Sequence, residues 1–188
     1  MIRSKNEVVI DVEVFFRIGL SCFVSPHKPC TNCDPPPQQA VAKVCPEKNG
    51  LTQAEITEIV QAHNSARSQN KLPALTWNCN LASVAQEWAT RGIFEHRPVR
   101  TYGENLFVSI RSTSKVTDAV QAWLLENSSW NQKTAACMPG KVCTHYTQVV
   151  WKKTTTIGCG INRNAGGKWK ILLVCNYEPP GNGGGAPF

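Results

Sequence analysis

HYTQVVWKKTTTIGCGINRNAGGKWKILLVCNY, residues 145–177, holds three short apolar runs separated by turn-forming residues. β-branched and aromatic side chains crowd residues 145–151, 157–161 and 168–177, so all three read as strands. Residues 162–167 supply the turn between the last two. With that turn centred near Gly167, Cys159 and Cys175 fall opposite each other on neighbouring strands, where a disulfide can join them. Cys137 and Cys143 enclose five residues of turn character that a second bridge can close. Chain entropy makes the shorter bridge worth about 2 kcal/mol and the hairpin bridge about 3 kcal/mol.

Upstream the period changes. Thr52-Gln53-Ala54-Glu55 is a capping box, and Ile56, Ile59, Val60, His63 and Ala66 follow at helical spacing, predicting a helix over about residues 53–70. Asn80 is placed to cap a second helix carrying Leu81, Val84, Ala85 and Trp88 on one face, with Gly92 as its stop. A third helix fits residues 118–126, with Ala119, Val120, Trp123 and Leu124 facing inward. Helices first and antiparallel strands later, with helices packed on the sheet, give a layered α+β domain.

The chain has 188 residues, 41% of them hydrophobic, which excludes wholesale disorder. It contains no apolar run long enough for a conventional membrane span. The net charge is +7, but the basic residues are scattered, so nucleic acid is not an expected partner, whereas an anionic surface is. Nine cysteines point to an oxidising compartment, and their odd number leaves at least one outside any internal pairing. Residues 1–50 read as a leader or propeptide followed by a Pro- and Cys-rich extension, although Asp11, Glu13 and Arg17 interrupt the apolar run a signal peptide needs. The folded domain is expected over residues 51–188. Cys22, Cys30, Cys33, Cys45 and Cys79 cannot be paired from their spacing, but Cys79, beside the second helix, is placed to tie the extension to the domain.

The residues alone name no chemistry. No HExxH helix, GxSxG elbow or phosphate-cradling glycine loop is present. Six segments, however, occur together in one order: His63-Asn64-Ser65-Ala66-Arg67, Tyr102-Gly103-Glu104-Asn105-Leu106, Trp123-Leu124-Leu125-Glu126, the HYTQVVW run, Ile157-Gly158-Cys159, and CNYEPPGN from Cys175. In these, residues 51–188 resemble the CAP superfamily, which unites cysteine-rich secretory proteins, antigen 5 and pathogenesis-related proteins of class 1, and they resemble the plant and fungal pathogenesis-related type most. The resemblance implies a disulfide-stapled three-layer α-β-α sandwich around a central antiparallel sheet. It also implies a cavity lined by His96, Glu104, Glu126 and His145, in which His96 and His145 would be able to bind zinc while the carboxylates orient the rings.

The same resemblance implies that His63 is structural rather than a cavity residue. Plant members carry a cysteine near the place of Phe94 and another near Asn164, so a bridge is missing here in both halves. The function implied is that of a secreted, extracellular, monomeric defence protein that binds sterol or another lipid, with a membrane surface as a further partner and without catalysis. Two alternatives belong to other classes: a zinc-dependent hydrolase using the same residues, and a precursor whose tail, residues 179–188, is released as a signal.

Overall fold

The computed structural model describes Cys45 and residues 49–188, so the expectations for the leader and for Cys22, Cys30 and Cys33 lie outside the described residues. Helix α1 (Gln53–Gln69) begins at the capping box: the Thr52 hydroxyl accepts from the Glu55 amide at 3.2 Å, and the Glu55 carboxylate accepts from the Thr52 amide at 2.9 Å. Helix α2 (Cys79–Thr90) starts one residue before Asn80, because Asn78 is the cap and its side-chain oxygen accepts from Asn80 N and Leu81 N. Helix α3 (Val116–Leu125) likewise starts earlier than its apolar spacing suggests, with the Asp118 carboxylate reaching back to the Lys115 amide. A 3-10 turn, Glu126–Ser129, continues it.

The 145–151 run is the main correction. It forms not a strand but a short helix, α4 (Thr144–Val149). The Glu126 carboxylate accepts from the amides of His145 and Tyr146 at one end of α4, and the Arg67 guanidinium takes the carbonyls of Val149 and Trp151 at the other. Both ends are thus satisfied by side chains from other elements, which outweighs the β preference of Val149, Val150 and Trp151.

The sheet runs β1 (Thr76–Trp77), β5 (Thr156–Asn162), β6 (Ile171–Glu178), β2 (Gly103–Ser109). The β5–β6 hairpin is antiparallel with Cys159 opposite Cys175, as the turn position predicts, and β2 pairs antiparallel with β6. The sheet is nonetheless mixed, since the two-residue β1 lies parallel to β5. β2 has no counterpart among the expected elements: Asn105 and Leu106 are both buried, so the strand shows no apolar–polar alternation. A small ribbon, β3 (Trp130–Asn131) with β4 (Ala136–Cys137), stands apart from the sheet.

Strand alternation sorts the core into two halves. Ile171, Leu173, Cys175 and Tyr177 face α1, α3 and α4, with Ile59, Val120, Trp123 and Val149. Leu172 and Val174 face α2, with Ala85, Trp88 and Leu106. Helices cover both faces of the sheet, which is the three-layer α-β-α arrangement. The close approach of α2 depends on Gly158 and Gly160, where a Cβ would collide with the backbone of Asn78 and Ala82 and with that of Gln86. Among the described residues three disulfides staple the domain: Cys45–Cys79, Cys137–Cys143 and Cys159–Cys175.

Candidate functional site

The residues expected to line a cavity form two imidazole–carboxylate pairs. His96 lies on the loop after α2, which is held where the Trp88 indole donates to the Glu95 carbonyl at 2.7 Å. Its Nδ1 is 2.8 Å from Glu104 Oε1, which also accepts from the Arg97 amide at 3.1 Å. The imidazole is 40% exposed, whereas the Glu104 side chain is 8% exposed. Glu104 Oε2 is buried and has no hydrogen-bond partner.

The second pair is tighter. His145 Nδ1 is 2.7 Å from Glu126 Oε1, while Glu126 Oε2 accepts from the His145 amide at 3.0 Å. Trp123 stacks on the imidazole, with ring centroids 6.3 Å apart at 16°. Asn105 Nδ2 donates to the His145 carbonyl at 3.1 Å. Ring, amide and carbonyl of His145 are all fixed by side chains from other elements.

A carboxylate only accepts, so in each pair Nδ1 carries a proton, and in the neutral ring Nε2 is the atom with the lone pair. The two glutamates differ in what remains to them. Glu126 has both oxygens engaged, one on the ring and one on the start of α4. Glu104 has one oxygen engaged and one orphaned. β2 links the pairs, because Glu104 and Asn105 are consecutive residues on opposite faces of its first turn of pleat. Among the described residues, no three His, Cys, Asp or Glu side chains are grouped as a metal-holding cluster.

Behind the second pair runs a buried chain of polar groups. The Tyr177 hydroxyl lies 2.9 Å from His63 Nε2 and accepts from Asn105 Nδ2 at 3.2 Å. His63 Nδ1 donates to the Ile59 carbonyl at 2.8 Å, which makes Nε2 the acceptor for the Tyr177 proton. Burial lowers the His63 pKa to about 4 and pushes the Tyr177 phenol well above its usual range, so both stay neutral at ordinary pH. His63 is structural, in line with its reading from the sequence. Asn105 and Tyr177 lie within the motifs of the sequence, which give neither residue a role. The signal available for them is a hydrogen-bonding side chain beside apolar residues, Asn105 in GENLFVS and Tyr177 in ILLVCNYE.

The tail expected to resemble a released peptide is clasped against α4. Asn182 bonds the Thr147 hydroxyl and the Thr144 carbonyl, Gly181 N donates to Gln148, and Lys152 N donates to the Pro187 carbonyl. Phe188 packs edge-on to Trp130.

Comparison with known proteins places this geometry in a family. A family model described as "Cysteine-rich secretory protein family" (CAP) matches residues 60–177. The chain is 37% identical over 152 residues to a pathogenesis-related protein of PR-1 type from Sambucus nigra, covering 76% of this chain and 90% of that one. It is 41% identical over 143 residues to peptidase inhibitor 16 of Mus musculus, covering 70% of this chain but 29% of that one. Among solved structures, the venom allergen-like protein 4 of Schistosoma mansoni matches with a TM-score of 0.61 at 27% identity, over 73% of this chain and 95% of that one. The matched region runs from within α1 to Tyr177 in β6 and includes the four residues expected to line a cavity, so the chain belongs to the cysteine-rich secretory protein (CAP) family, with plant pathogenesis-related proteins among its relatives.

Proposed function

We propose that this is an extracellular defence-type protein that acts by binding a hydroxyl-bearing lipid of the sterol class rather than by catalysis. The observation that carries the reading is Glu104 Oε2, a buried carboxylate oxygen without a donor. Such an atom is costly to leave unpaired, and a ligand hydroxyl would satisfy it. Exposed apolar side chains flank both pairs in sequence, Ile93 and Val99 around His96 and Leu125 before Glu126, which suits a ligand with one polar end and a large apolar body. Three disulfides and relatives named as pathogenesis-related proteins support the extracellular and defence parts of the reading.

The donor chemistry also suits zinc. Imidazoles that donate Nδ1–H to carboxylates present Nε2 to a metal, so His96 and His145 are the residues that would hold it. Bound zinc would supply Lewis acidity to an oxygen ligand. Release of the tail as a signal is less favoured, because it would break the contacts of Gly181, Asn182 and Pro187 with α4 and Lys152.

Titration of the oxidised protein with a fluorescent sterol tests the proposal. Saturable binding is expected, weakened about tenfold in Glu104→Gln and weakened similarly when the sterol hydroxyl is methylated. Absence of saturable binding by folded protein overturns it.

A further inference from the structure

Two loops on the α2 side of the sheet are joined without a covalent link. Gly92, at φ +69°, lies so near Ala165 that any side chain there would strike the Ala165 carbonyl. Phe94 packs edge-on to Trp169, with centroids 5.8 Å apart, and Phe94 and Ala165 together close over the α2-side core. This contact stands where the plant type was expected to carry a disulfide. The loops of residues 91–100 and 163–170 are therefore joined into a ridge at Gly92 and Phe94 on one and Ala165 and Trp169 on the other.

The ridge combines apolar tips with cations. Ile93 is 44% exposed and Val99 is 69% exposed. Lys168 sits over the Trp169 ring at 4.4 Å, and Arg91 over Trp88 at 5.0 Å. The two segments hold six Arg or Lys residues against one acid, Glu95. Arg91 and Arg163 are paired with Glu87 and Glu55 from neighbouring helices. Arg97, Arg100, Lys168 and Lys170 then outnumber Glu95 four to one.

We propose that this ridge docks on an anionic membrane surface. Exposed aliphatic side chains on loops with an excess of cations match the boundary between headgroups and acyl chains: Ile93 and Val99 enter the apolar layer and the cations meet phosphate and carboxylate groups. A soluble polyanion would use the cations alone and leave Ile93 and Val99 in water. His96 lies between Ile93 and Val99 on the same loop, so docking brings the Glu104 pair to headgroup level. The inference rests on the lipid-binding reading for its purpose, though not for its test.

The test is co-sedimentation of the full oxidised chain with sterol-free vesicles, phosphatidylcholine alone against phosphatidylcholine mixed with phosphatidylserine. Binding to the mixed vesicles is expected, with little to the neutral ones, and it falls as salt is raised. The pair Lys168→Glu and Lys170→Glu lowers partitioning by at least about tenfold, since each cation near an anionic surface contributes on that scale. The pair Ile93→Ser and Val99→Ser also lowers it, by about tenfold, with the near-ultraviolet circular dichroism unchanged. Equal binding to both vesicle types, or no loss in either variant, overturns the proposal. So does loss in the charge variant alone with heparin competing, which would make the ridge a polyanion site. Saturable sterol binding without vesicle docking sinks the docking alone, and docking without sterol binding sinks only the reading of the site.

Discussion

Arg67 is a buried cation held by four backbone carbonyls. Fully buried on α1, it donates to the carbonyls of Pro73, Val149, Trp151 and Thr154, and so holds the end of α4 and the turn after it. Burial lowers its pKa to about 10, which still leaves it charged at neutral pH. An ammonium cannot span four carbonyls in the plane of a guanidinium, so Arg67→Lys is expected to cost about 3 kcal/mol or more, measured by urea unfolding. His63 yields a pH prediction. Its pKa of about 4 lies below the 6.5 of an unperturbed histidine, so between those values the unfolded chain holds the proton and the folded one does not. The stability it confers is present above pH 6.5 and is lost as pH falls towards 4, by about 3 kcal/mol in all. In His63→Gln the stability profile over that window should be flatter, which urea unfolding at a series of pH values checks. At this scale the sequence was only partly legible: the motif around His63 signalled a structural role, whereas nothing in YGEN showed that Glu104 would keep a free oxygen and that Asn105 would hold His145.

At the level of elements, α4 shows how a local reading fails. HYTQVV has β-forming composition, and it is helical because Glu126 and Arg67, distant in sequence, satisfy its two ends. Glu126→Ala should therefore act on an element to which it does not belong, costing about 2 kcal/mol by urea unfolding and releasing the His145 ring, visible in its imidazole proton resonances. The capping box and apolar spacing made α1 legible from its first residue, and the turn at 162–167 made the register of β5 and β6 legible. β2 was hidden because a strand covered on both faces lacks the period-2 signal. The glycines of IGCGI act between elements: Gly160→Ala would drive a methyl into the Gln86 backbone, and with α2 pressed against β5 there is no flexible side chain to yield. A loss of about 3 kcal/mol is expected, read as a lowered midpoint in thermal unfolding.

For the whole molecule, the order of six short segments revealed the family where composition revealed only a stapled α+β domain. Mixed strand direction escaped it, since β1 is two residues long. The three bridges close loops of 34, 6 and 16 residues. Chain entropy assigns them about 4, 2 and 3 kcal/mol, so full reduction should approach the total stability of an ordinary domain and bring its melting point close to ambient temperature, measured by calorimetry. The bridges are not equally accessible, however. Cys159 and Cys175 are wholly buried between the helical layers, while Cys45, Cys79 and Cys137 are only partly covered. A mild thiol in the surrounding fluid would attack the periphery first. Changes in the redox history of its surroundings would thus be recorded in the outer loops and at the Cys45–Cys79 link, while the sheet at the centre keeps its cross-link until the fold itself gives way.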